Sequence, residues 1–288
     1  MAVQKVCLGV EIGQDKLKVA LVEPERRYVI KVDVIPVSGD SIDEASNYAS
    51  IVGSWVRSNL LPKIDLIAVT FSVCDGIMRL VAIPKEVENV REYVNWEFTQ
   101  ATGSKMNDYQ ADVVLYPNPK KPERAIVTAM QTKLVNYFCS PELVKSGFSP
   151  RCLMADVCAL LNLLECSEGL SSPKCILKAD KRNVVAVWGD ETGPLAIRLL
   201  ANDNISSRAI VDILESGFKE VSKAKRNVKI CGELSADVEF MAELAAEAKK
   251  ELINTQLWDS LPKFSFEKSG NFSDLSQCLG AIGVTLCV

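Results

Sequence analysis

The chain has 288 residues, enough for two units with separate cores, and its 48% hydrophobic and 24% charged residues are an ordinary globular balance. The formal charge of −4 argues against a dedicated nucleic-acid binder, which would carry a basic face. Ten cysteines and no histidine exclude Ser-His-Asp and Cys-His chemistry and remove the commonest general base and zinc ligand.

In chain order, Val6–Glu11, Leu17–Val22 and Tyr28–Val37 read as a three-strand meander. Its turns are Gly13-Gln14-Asp15 and Pro24-Glu25-Arg26-Arg27. A helix from Asp40-Ser41 carries an apolar stripe at Ile42, Ala45, Ala49, Val52, Val56 and Leu60, and Pro62 ends it. Leu66–Thr70 is continuously apolar, as a fully buried parallel strand would be. The block from Asp75 to about Tyr116 reads as an inserted subdomain. It has a strand at Ile77–Ile83 and a helix opened by Lys85-Glu86 with stripe Val87, Val90, Val94, Phe98 and Ala101. Strands at Asp112–Tyr116 and Glu123–Met130 are joined by a Pro-rich turn, Pro117–Pro122, whose Lys120-Lys121 is the hairpin tip. A helix at Thr132–Cys139 restarts at Ser140-Pro141 and closes at Gly147. A short strand, Arg151–Met154, precedes a helix capped by Asp156, Val157–Glu165, which is expected to bridge two halves. Ser167–Pro173 is the linker candidate.

The second half repeats the plan. Strands Cys175–Ala179, Asn183–Trp188 and Pro194–Leu200 precede a helix from Ser206 to about Ala224. Val228–Cys231 is a strand, followed by Gly232-Glu233 and a helix from Ser235 to about Leu252. A last helix is expected from Asp274, with Gly280 and Gly283 inside it. Glycine weakens a helix, so close packing is the expected reason for both.

The cysteines form no Cys-x-x-Cys pair and alternate with Val, Leu or Ile, which suits small buried thiols in a reducing compartment rather than metal ligands. No basic stretch precedes the first strand. The longest apolar run, Leu279 to Val288, is half a membrane span. These readings lead us to expect a cytoplasmic protein that meets a membrane only through partners.

Each half opens on a hairpin turn of the kind that holds phosphates, because a glycine lets backbone N–H groups approach an anion. Two such halves resemble the two-lobed actin-like (ribonuclease H-like) α/β fold with a small inserted α+β subdomain. Further segments resemble the type IV pilus assembly PilM family, relatives of the cell-division protein FtsA. They are Leu8–Gly13, Ile83–Glu88 with Trp96-Glu97, Ala125–Met130 with Lys133-Leu134, Gly147–Pro150, Met154–Asp156 and Leu279–Gly283. The resemblance covers nearly the whole chain. It implies a first lobe at 1–166, with the insert at about 75–117, and a second lobe at 167–288 whose last helix packs back on the first.

It also implies a nucleotide cleft at Glu11, Gly13, Gln14, Lys178, Asp180 and Gly232. Here the family's Asp before the first glycine is Glu11, and the hydroxyl after it is Gln14, followed by Asp15. The Asp and Gly of the second turn are Lys178 and Asp180, and one glycine of a closing pair remains as Gly232, followed by Glu233. Lys178 could neutralise a phosphate or pair with Glu11 across an empty cleft. Alternatively, Glu11, Asp15, Lys178 and Asp180 are plain hairpin-tip charges. The resemblance therefore implies a scaffold with a degenerate nucleotide site, no catalytic residue, no metal and no resident cofactor. Its implied partner is the N-terminal tail of a PilN-type inner-membrane protein, with pilus motor ATPases as further partners. Tyr93, Trp96 and Phe98 are candidates for the wall of the tail's groove, with subdomain core packing as the competing reading for each. The alternatives are an ATP- and magnesium-dependent enzyme on the same fold, an FtsA-type filament former, and the cytoplasmic domain of a type II secretion L-type protein.

Overall fold

The computed structural model describes residues 5–13, 15–37, 45–59, 63–72, 76–103, 108–116, 122–145, 147–165, 173–201, 205–222 and 224–287. Strands β1 (Cys7–Ile12), β2 (Lys16–Glu23) and β3 (Tyr28–Pro36) form the expected meander, and α1 (Ala45–Ser58) leads to β4 (Leu66–Phe71). The inserted block contributes β5 (Gly76–Ala82), α2 (Val90–Thr102), β6 (Tyr109–Tyr116) and β7 (Arg124–Gln131). Then come α3 (Thr132–Phe138), α4 (Pro141–Lys145), β8 (Cys152–Ala155) and α5 (Asp156–Glu165). The second half is β9 (Lys174–Ala179), β10 (Asn183–Asp190), β11 (Gly193–Ala201), α6 (Ser207–Glu220), β12 (Asn227–Cys231), α7 (Val238–Lys250), β13 (Asn254–Leu257), β14 (Ser265–Phe266) and α8 (Leu279–Val284).

Three sheets result. Their strand orders are β14-β3-β2-β1-β4-β8, β11-β10-β9-β12-β13 and, for the insert, β5-β7-β6. The first two repeat one plan. An antiparallel meander (β1–β2–β3 or β9–β10–β11) continues from its first strand into parallel neighbours, β4 or β12. Side-chain alternation divides each meander between two cores. Leu17, Val19 and Leu21 face a core shared with α1, while Ala20 and Val22 face the other side. In the second half, Cys175, Leu177 and Ala179 face the core under α6 and α7, and Ile176 faces away from it.

The faces turned away from α1 and from α6–α7 meet in one central core with α5 and α8 between them. Ala20, Val22, Leu160, Leu164, Ile176, Val187, Leu279 and Ile282 all belong to it. The close packing expected of the last helix is present. A Cβ on Gly283 would lie 2.0 Å from the carbonyl oxygen of Ala159 in α5, and one on Gly280 would lie 2.1 Å from Oε2 of Glu11. On the opposing strand β1, a Cβ on Gly9 would lie 1.8 Å from the carbonyl of Ala281.

Several boundaries differ from the sequence expectation. Helix α2 begins at Val90, not Lys85, because Asn89 caps it. The Asn89 side chain accepts from the Glu92 N–H at 3.3 Å and donates to the Glu92 carboxylate at 2.9 Å. Helix α7 begins at Val238, not Ser235, because Asp237 accepts from the N–H groups of Glu239 and Phe240 and a 3-10 turn takes Glu233–Ala236. Helix α8 is confined to six residues, with turns from residue 273 onward instead of helix from Asp274. Strand β6 begins three residues before Asp112. Strands β13 and β14 leave no strand signal in the sequence: β13 is polar at three of four positions and β14 has two residues, so neither shows an alternating pattern. The start of the helix at Asp40-Ser41, its cap and stop at Leu60 and Pro62, the turn at residues 117–121 and the linker at 167–172 lie outside the described residues. Among the described residues no helix is long and apolar enough to cross a membrane.

Candidate functional site

Glu11 and Lys18 sit directly opposite one another in the β1–β2 ladder, so their side chains leave the sheet on the same face. That face is the one carrying Ala20 and Val22, turned toward the central core. Lys18 Nζ reaches Glu11 Oε1 at 2.7 Å. In β9, Lys178 follows Ile176 by two and shares its face, so the second hairpin sends a lysine into the same space. Lys178 Nζ lies 3.1 Å from Glu11 Oε1 and 2.7 Å from Oδ2 of Asp156, the first residue of α5. Asp180 sits between the two ammonium groups. Its Oδ1 accepts from Lys18 at 3.0 Å, and its Oδ2 pairs with Lys178. Asp180 Oδ1 also accepts the backbone N–H of Glu233 at 2.8 Å.

The Glu233 side chain closes the group, 3.8 Å from Lys18 and lying over Gly13, where a Cβ would come within 2.6 Å of its Oε1. Gly232, just before it, has φ +98°, and a Cβ there would lie 2.6 Å from the Ala179 carbonyl. Glycine is required at that position on both counts. Around the rim, Lys181 and Asp15, both half-exposed, pair at 2.5 Å, and Asn183 donates to Ser72 at 2.8 Å. The two hairpins therefore oppose one another and are joined at their tips as well as underneath.

The cluster is buried: none of Glu11, Lys18, Asp156, Lys178, Asp180 and Glu233 exceeds 7% exposure. Four carboxylates against two ammonium groups would leave a buried excess of two negative charges, which is costly at low dielectric. The pKa shifts act against that excess. Burial pushes the Asp156 and Glu233 carboxyls up, with the neighbouring lysines only partly opposing the shift. Burial also acts to raise Asp180, but Lys178 and Lys18 outweigh it and hold that carboxyl well below its usual range. Burial alone would lower both lysines. Asp180 and Glu11 overcome this for Lys18, and Asp156, Asp180 and Glu11 do so for Lys178, so both stay charged.

Glu11, Lys178, Asp180, Gly13 and Gly232 come together, and Glu11 and Lys178 pair directly. Gln14 lies outside the described residues. The sequence reading does not single out Lys18, gives Asp156 as a helix cap and as the end of a family-resembling segment, and gives Glu233 as the residue after Gly232. The available signal was Lys18 itself, a lysine in register with Ala20 and Val22 on an apolar face.

A nucleotide phosphate does not fit this arrangement. The Asp180 carboxylate already takes the donors that an anion would take: one backbone N–H and two ammonium groups. The unpaired oxygen of Glu11, Oε2, is aimed at the α8 backbone beside Gly280, not at open space. No three Cys, Asp or Glu side chains among the described residues are arranged as metal ligands.

The aromatic triad separates. Phe98 is buried in the insert's core with Val94 and Val127, which corrects its assignment to a groove wall: α2 turns it inward with Val94, one helical turn away. Trp96 is 57% exposed, with the Tyr93 ring 6.3 Å away, and Tyr93 donates to Glu97 at 3.0 Å.

No protein-family model matches the sequence, and no curated protein matches it. Solved structures do. The chain is similar to a chain of the PilM-PilN type IV pilus biogenesis complex, with a TM-score of 0.76 and 16% identity over 100% of this chain and 99% of that one. It is similar to the cytoplasmic domain of EpsL, an inner-membrane component of the type II secretion system of Vibrio cholerae (TM-score 0.55, 12% identity, 98% and 95% covered). It also resembles a Bacteroides thetaiotaomicron protein described as having an actin-like ATPase fold (TM-score 0.55, 12% identity, 96% of each chain). At these identities the likeness carries the fold: the chain has the two-lobed actin-like architecture.

Proposed function

We propose that this chain is a catalytically silent adaptor of a type IV pilus or related secretion assembly. It stands on the cytoplasmic side of an inner membrane and receives the N-terminal tail of a PilN-type membrane protein. Full-length similarity to a chain of the PilM-PilN complex supports the setting. The observation that carries the loss of catalysis is Asp180, the chain's own carboxylate seated between Lys18, Lys178 and the Glu233 amide. The exposed Trp96, backed by Tyr93, is the surface proposed to meet the tail, since aromatics give contact area at low entropic cost.

Two measurements test this. A synthetic N-terminal tail from a membrane protein encoded beside this chain is expected to bind at about 10–50 μM, and Trp96→Ala to weaken it. Absence of binding up to about 1 mM overturns the adaptor reading. Millimolar Mg-ATP is expected to leave the melting temperature unchanged. The second reading, an ATP-dependent enzyme, draws on the retained Gly13 and Gly232. It predicts a clear rise, because ligand at 100 times its Kd adds ~2.7 kcal/mol.

A further inference from the structure

Two of the three sheets end beside each other on open edges. Strand β5 is the outer strand of the insert's sheet and β11 the outer strand of the second-half sheet. Among the described residues no backbone hydrogen bond joins them. Between them lies a groove of about 390 Å³, within the size range of ligand sites. Its floor is apolar. Met78 and Leu80 of β5 and Ile197 of β11 rest on the central core, and Leu199 is 42% exposed at its side.

The two edges are not equivalent. On β11, the Arg198 guanidinium donates to the Ile197 carbonyl at 2.9 Å and pairs with Glu220, so one carbonyl of that strand is covered and the arginine's charge is neutralised. On β5, Arg79 is exposed and, among the described residues, has neither a carboxylate partner nor a hydrogen bond. An open edge beside an apolar groove, with one unpaired cation, is the chemistry of strand addition.

We infer that β5 accepts an extended segment of a partner protein as an added strand. The segment is apolar at alternate positions, which enter the groove against Met78, Leu80 and Leu199, and carries a carboxylate between them that meets Arg79. The period of two in the ligand follows from the period of two in the strand it joins. The inference stands apart from the pilus reading and from the Trp96 surface.

The probe is a blocked hexapeptide alternating valine and glutamate, titrated into the isotope-labelled full chain and followed by backbone amide shifts. Saturable shifts centred on residues 78–80 and 197–199 are expected. The matching valine–lysine peptide should bind about tenfold more weakly. Methylating one alternate set of peptide nitrogens should abolish binding, and methylating the other set should not. Arg79→Glu, a change at an exposed side chain, should reverse the preference between the acidic and basic peptides. The inference is overturned by absence of saturation up to about 1 mM, by shifts confined to other elements, by equal binding of the two charge forms, or by indifference to which nitrogens are methylated.

Discussion

Lys18 is wholly buried, and the two carboxylates it donates hydrogen bonds to, Glu11 and Asp180, come from opposite halves of the chain, Asp180 lying 162 positions from the lysine. Replacing it with an apolar side chain of similar length removes one of the two cations and leaves Glu11, Asp156, Asp180 and Glu233 with Lys178 as the cluster's remaining ammonium group in low dielectric. Lys18→Met is expected to cost about 3–5 kcal/mol in urea unfolding, and adding Glu11→Gln should return part of the loss. A loss below about 1 kcal/mol would mean the cluster is not buried as described. The same residues set a pH dependence. Asp156 and Glu233 hold protons more tightly folded than unfolded, so their contribution is full below the ordinary carboxylate range and is lost as pH rises through their raised values. Asp180 has the opposite sign: its contribution is present above 3.8 and is lost as pH falls through its depressed value. Glu233→Gln removes one loss on the alkaline side. Its stability relative to the native chain should therefore improve from pH 4.5, the ordinary glutamate value, toward about pH 8. A constant difference across that range would show that Glu233 titrates normally.

Among the elements, the helices show where glycine is structural and where it is incidental. On propensity alone, Gly→Ala inside any helix should gain about 1 kcal/mol. In α1, among the described residues, a Cβ on Gly53 meets only the Arg57 guanidinium at 3.5 Å, so Gly53→Ala should stabilise by about that amount. In α8 a Cβ on Gly283 meets the Ala159 carbonyl at 2.0 Å, and backbone of a packed helix cannot move aside cheaply. Gly283→Ala should destabilise by about 1–3 kcal/mol despite its better propensity. Opposite signs in thermal unfolding are the expected result, and two gains would mean that α8 is not wedged against α5. Both α8 glycines are legible in the sequence as packing positions. The caps that moved α2 and α7 were equally legible: Asn89 with Glu92, and Asp237 before Glu239, are cap patterns that the apolar stripes overshadowed.

For the whole molecule, the central core takes side chains from β2, α5, β9, β10 and α8, and the charge cluster ties the two hairpins above it. Neither half keeps its inner face covered without the other. The chain should therefore unfold in one transition. Tryptophan fluorescence, which reports Trp55 and Trp96 in the first half and Trp188 and Trp258 in the second, should coincide with far-ultraviolet circular dichroism in urea. Separated midpoints would show two independent units. What the amino-acid order determined by itself is local. Alternation set which face of β2 and β9 is apolar, turn residues set the two hairpins, and the repeat of strand patterns set two similar halves. The tertiary structure alone decided what those faces meet. Nothing near Lys18 in the chain announces Asp180 or Glu233, and the turn-rich stretch before α8 gives no hint that the helix will lodge between β1 and α5. Periodicity determines the direction of a side chain, whereas its partner is chosen by which distant surfaces close over the same volume, and that choice is made only when the chain folds.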